Sequence, residues 1–141
     1  MAGLIHLVGI LSEKVCVEMK ISKTLHVANR KDWRAWLTRH YQTEKDIWLV
    51  YYKKWTDKPR IEYNDAVEEA LCFGWIDSLV KTLDEERTVQ RFSPRKPKAK
   101  YSQANIERLR TLVAKKKVVK VVAVGYKKGN KVLVHGEKFE L

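Results

Sequence analysis

Residues 46–54, Asp-Ile-Trp-Leu-Val-Tyr-Tyr-Lys-Lys, constrain this chain more than any other stretch. Six successive apolar or aromatic residues stand between charged ends. They lack the polar alternation of a strand that wets one face, and they are too few for an ordinary helix. Such a run belongs in the middle of a sheet covered on both faces. A chain of 141 residues, 45% of them apolar, is long enough to build one core around it. Lys53, Lys54 and Trp55 mark the strand's exit. Two lysines beside an indole are of a type that holds anions, and here they read as a solvated strand end.

Helical periodicity surrounds this strand. Trp33, Trp36, Leu37 and His40 follow the i, i+3, i+4, i+7 rule and predict a helix over about 30–41, with Asn29 as N-cap and Asp32 complementing the dipole. Paired tryptophans at this spacing suit either core packing or base stacking, and core packing is the expectation. A second helix is expected over 64–73, with Asn64 or Tyr63 at its start and Asp65, Glu68 and Glu69 near its positive end. Gly74 stops it, because the residue just past a helix end favours a positive φ. A strand follows over 75–83, then a charged turn at Asp84-Glu85-Glu86 and a return strand over 87–93. If residues 84 and 87 pair, Leu79 faces Phe92 and Asp77 faces Pro94. Pro94 and Pro97 end regular pairing. Ser102 then caps a third helix that buries Ile106, Leu109, Leu112 and Val113 and turns Glu107, Arg108, Arg110, Lys115, Lys116 and Lys117 outward.

Beyond residue 117 the texture becomes β-branched, and a turn signal at 127–130 predicts a basic terminal hairpin with an edge open to pairing. The fold class expected is α+β, three helices on a mostly antiparallel sheet in a single domain. Residues 1–23 form an N-terminal extension with edge strands within 4–11 and 14–21, residues 24–117 the core, and residues 118–141 the hairpin.

The formal net charge is +12. Residues 95–141 hold 14 Lys+Arg against three Asp+Glu, so nearly all the excess lies in the last third. Such a face attracts nucleic acid, anionic membrane or an acidic partner, or simply keeps the chain soluble. The apolar run at 3–11 is too short to span a bilayer and lacks a basic leader, so no membrane span or signal peptide is expected and a cytoplasmic location is. Cys16 and Cys72 are far apart, and His6, His26, His40 and His135 are scattered. No metal site and no cofactor is expected.

Several blocks stand in a characteristic order: Trp33-Arg-Ala-Trp-Leu37; Ile47-Trp-Leu-Val50 with Lys53-Lys54; Tyr63; residues 66–77, ending Phe73-Gly74-Trp75-Ile76-Asp77; Arg91-Phe92-Ser93-Pro94-Arg95; and Tyr101-Ser102-Gln103-Ala104-Asn105. Together, over about residues 24–115, they resemble the YdeI/OmpD-associated family, often labelled bacteriocin-protection proteins. The resemblance implies a small cytoplasmic-type protein linked to tolerance of antimicrobial peptides and to an outer-membrane porin, with no catalytic residues to carry over. The chain departs from the family at Tyr101, where Trp is usual, and after residue 117, where a basic hairpin replaces a glycine-containing helical region.

The residues themselves offer one candidate site: Asp77, Arg91, Arg95, Lys96 and Asn105, with Trp75 and Phe92 as an apolar wall. Arg grips carboxylate or phosphate with two prongs, and a nearby Asp fixes its orientation. The same groups also suit a structural Asp–Arg pair tying the hairpin to the third helix, with Ser102 and Asn105 as caps. No GxSxG, P-loop, GxGxxG or HExxH is present, Ser78 and Ser93 have no adjacent His, and Glu68 and Glu69 point apart on successive helical positions. No catalytic residue is assigned. The expected function is a non-enzymatic binding protein for an anionic small molecule or peptide group. The alternative is sequence-tolerant nucleic-acid binding through Lys115, Lys116, Lys117, Lys120, Lys127, Lys128 and Lys131, with Tyr126 as a stacking face.

Overall fold

A computed structural model describes residues 20–96 and 100–119 in full, and the backbone of residues 123–124, 131–134 and 137–140. Strands β1 (Thr24–His26), β2 (Ile47–Tyr52), β3 (Trp75–Thr82) and β4 (Arg87–Pro94) form one sheet in the order β1-β2-β4-β3. β1 runs parallel to β2, and the other pairings are antiparallel. Helices α1 (Arg30–His40), α2 (Tyr63–Cys72) and α3 (Gln103–Ala114) complete an α+β fold of the expected class. The N-terminal strands expected within 4–11 and 14–21 lie outside the described residues, apart from Lys20 and Ile21, which form no regular element.

β2 occupies the interior of the sheet, and strand alternation divides its apolar run between two cores. Ile47, Leu49 and Tyr51 face the helices and join Trp33, Leu37, Val67, Leu71, Phe92 and Leu109. Trp48 and Val50 join Val89 on the opposite face, with Ile21, Tyr52 and Leu83 at its margin. Burying each such large side chain contributes about 1.5–3 kcal/mol, which explains why a run apolar at every position finds the centre of the sheet.

The helices begin and end where local chemistry directs. Asn29 Oδ1 accepts the Asp32 amide at 2.9 Å and caps α1, and Ser102 Oγ accepts the Asn105 amide at 3.2 Å and caps α3. Trp33 is fully buried, stacks on Trp36 at 5.5 Å, and donates its indole N–H to Ala66 O. The aromatic stripe of α1 is therefore core, and Trp33 has no face open to a base. α2 closes at Gly74, whose φ of 75° is the left-handed value expected there.

The β3–β4 register is not the one that an 84–87 pair would give. Thr82 pairs with Thr88, Asp77 with Phe92 and Trp75 with Pro94, with a bulge between Asp77 and Val80. Asp84 is the reason at the turn. Its Oδ1 accepts the amides of Glu86 and Arg87, and its Oδ2 takes the Arg87 guanidinium, so a side chain lengthens the loop. The bulge then shifts the register by one further residue.

After α3 the expected hairpin is present as β5 (Ala123–Val124) paired with β6 (Lys131–Val134). A third strand, β7 (Glu137–Glu140), adds to β6 and approaches α3. Its Glu-Lys-Phe-Glu sequence holds one apolar residue, too little to announce a strand. The turn signal at 127–130 lies outside the described residues.

Candidate functional site

Alternation along β4 separates the groups that the sequence brought together. Asp77 lies opposite Phe92, on the helical face. Its Oδ2 accepts hydrogen bonds from Tyr63 Oη at 3.0 Å and Gln90 Nε2 at 3.1 Å. Gln90 Oε1 in turn accepts from Tyr51 Oη at 2.9 Å. A polar chain thus runs from the exposed Tyr63 ring into the core. Burial, and then the charge of Asp77, push both phenols above their ordinary pKa.

Arg91 lies opposite Trp48, on the other face of the sheet. Its Nε donates to Asp46 Oδ2 at 3.0 Å and its Nη1 to Ser93 Oγ at 3.2 Å, while Ser22 donates to Asp46 Oδ1. The anticipated Asp77–Arg91 site is therefore not formed, because residues 90 and 91 point to opposite faces and Asp77 is held by Gln90. Trp75 and Phe92 are 1% and 0% exposed, so they are core residues and form no open wall. Asn105 Oδ1 accepts from Arg108, which also donates to Asn64. Arg108 also lines a shallow groove between α2 and α3, together with Glu68, Ala104, Glu107 and Thr111.

Arg95 is different from its neighbours. Its amide donates to Gly74 O at 2.9 Å, which fixes the backbone where β4 ends. Its guanidinium carbon stands 4.3 Å from the centre of the Tyr101 ring. Its Nε is buried with no hydrogen-bond partner, and it pairs with no carboxylate among the described residues. Lys96 and Lys100 beside it are exposed. Of the anticipated set, Arg95 and Lys96 are the cations left uncommitted at one end of the sheet.

The most heavily committed polar group was not anticipated. Glu69 is 1% exposed and accepts from three cations, two on α1 and one just past α3. Arg30 Nε reaches Oε2 at 2.8 Å, Arg34 Nη1 reaches Oε1 at 2.9 Å, and Lys117 Nζ reaches Oε2 at 3.0 Å. Arg30 also contacts Asp65 and Glu68. Burial alone would raise the Glu69 carboxyl. The hydrogen bonds from Arg34, Arg30 and Lys117 outweigh it and hold the pKa below the ordinary value. Burial, with the charge of Glu69, pushes the adjacent Cys72 thiol up to about 11. The sequence carried a signal for this node: Glu69 lies three residues from Ala66 and from Cys72, inside the buried stripe of α2, opposite an Arg30/Arg34 pair one turn apart.

The basic residues of the last third divide similarly. Lys115 and Lys116 are exposed, but Lys117 folds inward onto Glu69 instead of turning outward. Lys131 lies in β6, and Lys120, Tyr126, Lys127 and Lys128 lie outside the described residues. Among the described residues no group of three or more His, Cys, Asp or Glu is placed to hold a metal ion, and no helix is long and apolar enough to cross a membrane.

One family model, Domain of unknown function (DUF8412), matches residues 25–123, a span from β1 to the first residue of β5. No curated protein and no solved structure matches the chain.

Proposed function

We propose that this chain, which belongs to the DUF8412 family, is a binding protein that holds an anionic group of a small molecule or peptide at the Arg95–Lys96 end of the sheet. The observation that carries this reading is the uncommitted guanidinium of Arg95. A buried cationic N–H without an acceptor is a standing cost of about 1–3 kcal/mol or more. An incoming carboxylate or phosphate is gripped by the guanidinium, for which no described residue supplies a carboxylate, with Tyr101 holding the guanidinium plane and Lys96 adding charge. Arg91 does not share the role, since Asp46 already neutralises it. The resemblance to the YdeI/OmpD-associated family supports a binding protein over an enzyme, and we extend the proposal to a role in tolerance of antimicrobial peptides.

The test is calorimetric titration with pyrophosphate, dicarboxylates and peptides bearing a free C-terminus. Arg95→Ala is expected to weaken the best ligand about tenfold or more, in line with loss of a charge-assisted hydrogen bond, while Arg91→Ala leaves affinity within about twofold. Equal losses in the two variants, turnover of a ligand, or no binding of any of these probes would refute the reading.

A second reading, sequence-tolerant nucleic-acid binding by the last third, is favoured by Arg110, Lys115 and Lys116. All three are exposed and pair with no carboxylate among the described residues. It predicts that Lys115→Ala/Lys116→Ala elutes from heparin at lower salt, and unchanged elution counts against it.

A further inference from the structure

The loop that follows β2 presents the most exposed large apolar side chain among the described residues, Trp55, at 68%. The other four tryptophans are buried or packed against the core. Trp55 is not a floppy surface residue. It sits in a 3-10 turn, Lys54–Thr56, held from both sides. Lys53 N donates to Glu86 O at 2.8 Å, and Lys53 O accepts from both Thr56 N and Thr56 Oγ, at 3.0 and 2.7 Å. Asp57 adopts a left-handed φ of 57° and donates its amide to Lys54 O, Lys58 N donates to Thr56 Oγ, and Arg60 Nη1 donates to Tyr52 O. The backbone that carries the indole is therefore held in one conformation, which lowers the ordering cost for a ligand that stacks on it.

Lys53 and Lys54 pair with no carboxylate among the described residues, and Lys58 pairs only with Glu86 at 3.4 Å, with both side chains about half exposed. We propose that this loop is a contact for single-stranded nucleic acid, with a base stacked on Trp55 and the flanking phosphates neutralised by Lys53 and Lys54. Charge decides between this partner and a protein. The centre of a protein–protein patch is depleted in lysine, whereas an aromatic face flanked by unpaired cations is the arrangement that binds unpaired bases along a phosphate chain. A duplex keeps its bases stacked and offers none to the indole. The loop lies at the C-terminal end of β2. β4 runs antiparallel to β2, so Arg95 stands at the opposite end of the sheet, and this inference does not rest on the Arg95 reading.

The experiment is fluorescence anisotropy of the full chain with a fluorescein-labelled thymidine dodecamer, at about 50 and about 200 mM NaCl. Trp55→Ala is expected to weaken binding about 5- to 150-fold, the range for loss of one stacked base, and Trp55→Phe to stay within about threefold of the parent. Lys53→Ala/Lys54→Ala is expected to flatten the salt slope by about two phosphate contacts. An abasic oligomer of equal charge should be indifferent to Trp55→Ala. The proposal is overturned if Trp55→Ala stays within about twofold of the parent, if Phe fails as badly as Ala, or if the dodecamer does not bind at low salt. Binding lost in Lys115→Ala/Lys116→Ala but untouched by Trp55→Ala overturns it while leaving the nucleic-acid reading of the last third standing.

Discussion

Glu69 is a charged residue standing where the stripe of α2 calls for an apolar one. It is tolerable because Arg30, Arg34 and Lys117 converge on it, and each of those cations keeps about a third of its side chain in water. Glu69→Gln is therefore expected to cost about 2–3 kcal/mol at neutral pH, less than the ~3–5 of a fully buried broken pair, because water screens the cations left behind. The pH dependence has a definite sign. The folded-state pKa of Glu69 lies below the unfolded value of 4.5, so its stabilisation is complete well above 4.5 and fades as the pH falls through the lowered value. Urea midpoints measured from neutral to acid pH should fall less steeply in Glu69→Gln than in the parent. Parallel acid limbs would show that other carboxylates carry the acid sensitivity. At this scale the sequence was a poor guide to Asp77 and Arg91. Both are polar groups in need of partners, and their partners, Tyr63, Gln90 and Asp46, come from positions 13 to 45 residues away.

The α2–β3 junction turns on one backbone angle. Gly74 at φ 75° donates its amide to Leu71 O, and its carbonyl accepts from Arg95 N. It closes the helix and fixes the end of β4 in the same residue. Gly74→Ala is expected to cost about 1–2 kcal/mol, from the Cβ clash at positive φ. It should appear as a lower urea midpoint with an unchanged slope, and a cost below about 0.5 kcal/mol would mean the junction relaxes. Elements of this kind were legible in the sequence. Caps, the glycine stop and apolar period place each helix within about a residue of its observed ends, because these signals act within one or two turns. The β3–β4 register was not legible. It depends on the Asp84 carboxylate folding onto two amides and on a bulge between Asp77 and Val80, and neither leaves a pattern in hydrophobic alternation.

For the molecule as a whole, the Glu69 node joins the core to the basic last third. Arg34 Nη2 grips Lys117 O at 2.8 Å while its Nη1 grips Glu69, and Val119 N donates to Cys72 O at 3.0 Å. The chain leaving α3 is thus fastened to α1 and α2 just before it enters β5. Lys117→Ala removes one of these fastenings. It is expected to speed hydrogen exchange at the Val119 amide about tenfold, the factor for roughly 1.4 kcal/mol of local stability, with little change inside β2. Exchange that accelerates equally in β2 and at Val119 would mean that the variant lowers global stability and that the node is no local clasp.

What the sequence determined by itself was everything set by short range and by period. It specified a doubly covered central strand at 47–52, three helices with the N-caps of α1 and α3, a glycine-terminated α2, a β-hairpin at 75–94 and a charge surplus in the last third. Only the tertiary structure decided which polar groups meet. Strand alternation put Asp77 and Arg91 on opposite faces, a bulge reset their register, and three cations distant in the chain from Glu69 converged on it, while Arg95 Nε was left without an acceptor among the described residues. The physical reason is one of range. Backbone preference and apolar burial are read from neighbours a few residues apart, whereas a salt bridge depends on angstrom-scale placement of side chains that folding alone brings together.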